Sequence, residues 1–185
     1  MKLYNNGYLV KGLFRREWSS TEESYQGVGS FVAWPLAYFD DDKSIALENE
    51  AFDRWFIYRD RIWLVPDRDY LERYVRHCSS RGFGTQVIQF ETPRSNQIAK
   101  DVLDVVEVLG FDCIIGYDTS YLDMDPDGVP DLERLFQKLN RNRLFDTIEE
   151  TYEFLDIYNR LLDEGENLEH GENPTPALLS IVRLD

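Results

Sequence analysis

A chain of 185 residues with 43% hydrophobic and 14% aromatic side chains can bury a sizeable core, which excludes a disordered acidic tail. Its formal net charge of −15 resides wholly in residues 101–185, where 21 Asp and Glu face six Lys and Arg; residues 1–100 hold 14 of each. Such a field disfavours nucleic acid and anionic membranes as partners and favours a basic protein surface.

The size points to a single domain over residues 1–185. With no basic-then-apolar leader at the start and no run of bilayer length, the expected compartment is the cytoplasm. There Cys78 and Cys113 are expected to be buried free thiols.

In chain order, Lys2–Tyr4 and Tyr8–Phe14 flank Asn5-Asn6-Gly7, which predicts a tight hairpin. Ser19–Gly29, polar and punctuated by Gly, reads as a loop or a short helix. Phe31–Phe39 is uncharged, and Pro35 makes it an edge strand or buried loop. Phe56–Tyr58 and Ile62–Val65 predict a second hairpin. Asp67 is placed to cap a helix reaching Ser80, with Tyr70, Leu71, Tyr74 and Val75 at helical spacing.

Thr85–Glu91 reads as a strand. Ile98, Val102, Val105 and Leu109 recur at i, i+4, i+7 and i+11, predicting a helix from Ser95 that packs on a sheet. Phe111–Tyr117 reads as a buried strand parallel to Thr85–Glu91, the pair joined by a right-handed crossover. Two further helices are expected over Asp131–Asn140 and Asp146–Glu164, an exposed loop over residues 165–176, and a final strand over Leu178–Leu184. The predicted class is α+β: a mixed β-sheet with N-terminal hairpins and a βαβ-like segment, with about four helices.

The helix over Asp146–Glu164 is the leading candidate for binding. At 100° per residue, Glu149, Glu153, Asp156, Arg160 and Asp163 fall within about 80° of arc. Phe154, Leu155, Ile157, Tyr158, Leu161 and Leu162 lie opposite. Burial would anchor the helix while its carboxylates face water, with Asp156 and Arg160 pairing at i, i+4 and the other acids repelling one another. Glu149, Glu153, Asp156 and Asp163 are the expected contacts for a basic partner. A second acidic segment accompanies them: from Asp101 to Glu133 there are ten acids and no Lys or Arg.

Within that segment, Asp123-Met124-Asp125-Pro126-Asp127-Gly128 spaces carboxylates alternately before a Gly, the device by which loops converge oxygens on a hard cation. It resembles the Asp-rich calcium loops of EF-hand-like and thrombospondin-type repeats, which would make Asp123, Asp125 and Asp127 metal ligands and Ca²⁺ the ion. It departs from them in carrying Arg134 where the closing carboxylate belongs, with Glu133 one residue early. The competing reading is an acidic turn before a helix that starts at Pro130, with Asp131 and Glu133 favourable at its N-terminus.

No residue is assigned a catalytic role. Asp112, Asp118 and Asp123 could hold Mg²⁺ for phosphoryl chemistry, which keeps a metal-dependent hydrolase or nuclease as one alternative. A structural or assembly subunit using Phe31–Phe39 as an interface is another. His77-Cys78 are sequence neighbours that point apart on a helix, and Gly27-Val28-Gly29 lacks a phosphate loop's remaining residues. Arg54, Arg59, Arg61, Arg68, Arg73, Arg76 and Arg81 are interleaved with aromatics but matched by Asp53, Asp60, Asp67, Asp69 and Glu72, so they read as internally paired.

The leading expectation is a small acidic cytosolic binding protein, an inhibitor or immunity-type protein that blocks a basic partner such as a nuclease toxin. In being small, acidic and aromatic-rich, the chain is similar in type to bacterial toxin-immunity proteins.

Overall fold

The computed structural model describes residues 1–13, 46–47, 64–65, 67–80, 84–94, 99–115, 119–123, 126, 128–165 and 174–185. They form five strands, β1 (Tyr4–Leu13), β2 (Gly84–Thr92), β3 (Asp104–Ile115), β4 (Thr119–Ser120) and β5 (Thr175–Arg183). Three α-helices accompany them, α1 (Arg68–Ser80), α2 (Pro130–Phe136) and α3 (Ile148–Asp163), with a 3₁₀ turn at Tyr121–Asp123. The class is α+β.

The strands make one sheet in the order β1-β2-β5-β3-β4, and every pairing is antiparallel. The βαβ-like segment and the mixed sheet predicted from sequence are therefore corrected. β2 and β3 do run the same way, but β5 enters from the C-terminus and pairs with both, so they are not neighbours.

The helix predicted from Ser95 is also corrected. Residues 95–98 lie outside the described set, and Asp104–Ile115 is one twelve-residue strand. Its valines are β-branched, which restricts χ1 and favours a pleated strand over a helix. The apparent helical period arises because bulges at Val105/Glu107 and Val108/Gly110 break strict alternation. Three helices rather than four follow among the described residues.

The Asn5-Asn6-Gly7 hairpin is corrected as well. β1 passes straight through those residues, with a bulge between Asn5 and Gly7. The positive φ that Asn-Gly favours serves the bulge: Gly7 sits at +140° and a Cβ there would lie 3.0 Å from Leu64 Cβ. Asn6 turns inward, fully buried, and donates to Thr92 Oγ1 (2.6 Å) and the Arg94 carbonyl (3.0 Å).

Of the second hairpin, only Leu64 and Val65 are described; Val65 exchanges two backbone hydrogen bonds with Tyr8 (3.0 and 2.8 Å). Phe31–Phe39 and Ser19–Gly29 lie outside the described residues. At the other end, the loop predicted over 165–176 stops short, because β5 already begins at Thr175, with Pro174 and Pro176 buried.

The sheet separates two apolar layers. On one face Tyr70, Leu71 and Cys78 of α1 pack with Tyr8, Val65, Val87, Leu103 and Val182. On the other, α2 and α3 close over Ile88, Phe90, Leu109, Ala177 and Leu179. Four consecutive β2 residues, Val87 to Phe90, are buried, as expected of a strand covered on both sides. α1 begins as its sequence predicts: the Asp67 carboxylate accepts the Tyr70 N–H (3.3 Å), and Asp101 accepts the Arg68 N–H (2.9 Å).

Candidate protein-docking surface

α3 owes its start to Thr147 and Glu150. The Thr147 hydroxyl oxygen accepts the Glu150 N–H (3.3 Å) while the Glu150 carboxylate accepts the Thr147 N–H (3.3 Å), a reciprocal capping box. Glu149 and Glu150 in the first turn also suit the positive end of the helix dipole.

The inner face of α3 is an aromatic lock. Phe154 and Tyr158 are fully buried, with ring centroids 5.8 Å apart. Phe136 stacks on Phe154 at 6.0 Å, and Tyr121 meets Tyr158 edge-on at 4.8 Å. Thr151, Leu155, Ile157 and Leu161 complete the buried side. A helix seated this way holds its outer side chains on a fixed axis.

That outer stripe divides in two. Glu153 leans towards α2, where Arg134 (2.5 Å) and, in the turn just after the helix, Lys138 (3.2 Å) both reach it. Hydrogen bonds from Arg134 and then Lys138 hold its carboxyl below the usual carboxylate range. Arg160 pairs with Asp131 of α2 (2.7 Å) and not with Asp156, the partner its own helix offers. The bases that neutralise this side of the stripe therefore come from another element.

Glu149, Asp156 and Asp163 are exposed and form no ion pair among the described residues. Their seven-residue spacing sets them in a column, each about 10 Å from the next at 1.5 Å rise per residue. That separation is about one Debye length at physiological salt, so their mutual repulsion is weak and they stand as three separate anionic points. Of the four predicted partner contacts, three are available to a partner and Glu153 is already committed to α2.

The Asp-rich loop lies mostly outside the described residues. Asp125 and Asp127 are among those not described, and Asp123 is described for its backbone alone, in the turn after β4. Downstream, α2 starts with Pro130 in its first turn and no side-chain cap. The Glu133 carboxylate reaches back to accept the Gly128 N–H (3.1 Å), and Asp131 is held by Arg160. Both acids thus serve the start of the helix. Among the described residues, no three His, Cys, Asp or Glu side chains are placed to hold a metal ion.

Asp112 is buried and structural in its contacts. Its carboxylate accepts the Cys113 N–H (2.7 Å) and the Ser120 hydroxyl (2.6 Å), tying β3 to β4, while Ser120 Oγ accepts the Leu122 N–H (3.1 Å). Asp118 lies outside the described residues. Both cysteines are buried free thiols. Burial pushes the Cys78 thiol up to about 11 and holds Cys113 well above the usual thiol range, so neither is an activated nucleophile.

In the basic segment, Arg68 pairs with Glu72 (2.8 Å) and Arg73 lies over the Tyr70 ring (5.5 Å), whereas Arg76 is exposed and forms no ion pair among the described residues; Arg54, Arg59, Arg61 and Arg81 are not described.

No protein-family model, curated protein or solved structure matches this chain. Function rests on the geometry alone. Val102, Val105, Val106 and Val108 are exposed, although the helical period predicts a packed face for Val102 and Val105. The legible signal of a strand was the density of β-branched residues between acids from Val102 to Val108. No described helix is long and apolar enough to cross a membrane.

Proposed function

We propose that this is a non-catalytic binding protein of the cytoplasm, an inhibitor or immunity-type protein that occupies a basic surface of another protein. The observation that carries the reading is the column of Glu149, Asp156 and Asp163, exposed and without ion-pair partners among the described residues, on a helix whose opposite face is locked in the core. Basic clefts are typical of enzymes that act on polyanions, and an acidic protein blocks them by charge and shape without chemistry of its own. Fixed anionic points also speed encounter, since they act before contact is made.

Capture of binding proteins from the native cell extract, followed by titration of the purified captured protein, tests this directly. The reading requires a basic partner whose affinity falls steeply with salt. Simultaneous Glu149→Lys, Asp156→Lys and Asp163→Lys substitution is expected to weaken binding at least a hundredfold with little change in melting temperature. A partner bound equally well by that triple variant would overturn the proposal.

A further inference from the structure

β3 and the residues leading into it carry apolar surface that the described fold leaves in solvent. Val102, Val105, Val106 and Val108 are 92%, 48%, 54% and 61% exposed. The pairing explains two of them. Val105 lies opposite Val182, itself opposite Val87, and Val108 lies opposite Ser180, itself opposite Gln89. Directly opposed residues share a face, so these rows lie on the α1 side of the sheet. Val87, Gln89, Ser180 and Val182 are buried there, but α1 packs on β1 and β2. Along these rows burial reaches β5 and ends at β3.

The same stretch is an open edge. Along the outer side of β3, β4 pairs with Ile114 and Ile115. Phe145 exchanges two backbone hydrogen bonds with Phe111 (2.8 and 2.9 Å), and the Asn140 and Asn142 amides donate to the Leu109 carbonyl (3.0 and 3.3 Å). From Asp104 to Val108, no described residue makes a backbone hydrogen bond to that side, and the one side-chain contact there is Arg141 with the Glu107 carboxylate (2.7 Å). An unpaired edge is a template for another strand, and exposed apolar patches of a few hundred Å² on a monomer are commonly interaction sites.

We infer that Asp104–Val108 receives a short extended segment of the basic partner, added to the sheet through backbone hydrogen bonds, with apolar side chains seated on Val105 and Val108. The inference deepens the proposed function and rests on its basic partner. Charge selects the occupant: Asp104 is exposed on this edge and forms no ion pair among the described residues, Glu107 is already paired with Arg141 (2.7 Å), and the whole chain carries −15. A second copy would bring the same carboxylates and the same net charge against them, whereas lysines alternating with apolar residues match both features. Bulges at Val106 and Leu109 and the blocked Leu109–Phe111 stretch restrict the addition to about five residues.

The probes are synthetic octapeptides: alternating Lys-Val, alternating Lys-Gly of equal charge, and alternating Glu-Val. Binding is read by anisotropy and backbone protection by amide hydrogen exchange on the full chain. Lys-Val is expected to slow exchange within residues 104–108 at least tenfold and to bind at least tenfold more tightly than Lys-Gly or Glu-Val. Val105→Thr with Val108→Thr, which keeps the branched shape, is expected to weaken Lys-Val at least fivefold. Equal affinity for Lys-Val and Lys-Gly without protection would overturn strand addition while leaving the acidic docking surface intact. Lys-Val protection retained in the Glu149, Asp156 and Asp163 triple variant would support the edge site even if the α3 proposal fails. Protection of 104–108 in the free monomer, or in a concentration-dependent dimer, would assign the edge to this chain itself and overturn the inference.

Discussion

Replacing Gly110 with Ala should be among the most damaging single-methyl changes in the protein. Gly110 has φ of +133°, and an added Cβ would lie 2.6 Å from the Phe145 carbonyl oxygen, 2.9 Å from Leu144 Cβ and 3.0 Å from Asn140 Nδ2. The carbonyl cannot yield freely, because it accepts the Phe111 N–H at 2.8 Å in the clamp between β3 and the α2–α3 connection. Backbone strain of this kind costs about 1–3 kcal/mol. Displacing the carbonyl leaves buried groups short of a partner, at about 1–3 kcal/mol more. The sum is about 4 kcal/mol, or roughly 8–16 °C in melting temperature for a chain of this size. Gly165 provides the control: it has φ of +83° with nothing within 4 Å of its Cβ position, so Gly165→Ala should cost only about 1 kcal/mol. Urea unfolding of both variants measures the difference. Gly110→Ala no more destabilised than Gly165→Ala would refute the clamp at the β3 edge.

Two further outcomes follow from the same geometry. Thr147→Ala removes the hydroxyl acceptor of the α3 capping box and should cost about 1 kcal/mol in urea unfolding, with Thr147→Ser recovering most of it. The pH limb concerns Cys78, whose thiol is raised by burial from 9.0 to about 11. A raised folded value means its contribution is fully present below pH 9 and lost as the pH climbs towards 11, because the unfolded chain releases the proton first. The urea midpoint should therefore fall between pH 9 and 11, and Cys78→Ala should make that fall shallower; an unchanged slope would contradict the assignment.

What the sequence made legible was local. α3 was readable because sixteen residues keep one apolar face, and α1 because Asp67 supplies a cap where the apolar period begins. β3 was not, since Ile98, Val102, Val105 and Leu109 fit a helical period that bulges, invisible in sequence, mimic in a strand. Nor could the interposition of β5 be read: strand partnership is non-local, and the long stretch between Thr92 and Thr175 carries no mark of which neighbour β5 will choose. Asn5-Asn6-Gly7 carried the right backbone freedom for a different purpose, a bulge in place of a turn. At the docking surface, the helical wheel placed the acids correctly on one stripe. It could not show that Arg134 of α2 and Lys138 just beyond it would approach Glu153, which divides the stripe into a neutralised side and an open column.

That division supplies the most direct test. Against a purified basic partner, the affinity of Glu153→Gln should be compared with that of the combined Glu149→Gln, Asp156→Asn and Asp163→Asn variant at two salt concentrations. The open column should carry the binding: the triple variant loses at least tenfold and most of the salt dependence, while Glu153→Gln stays within about twofold of the parent. Equal losses from both, or none from either, would contradict the claim that this column is the surface through which the protein acts.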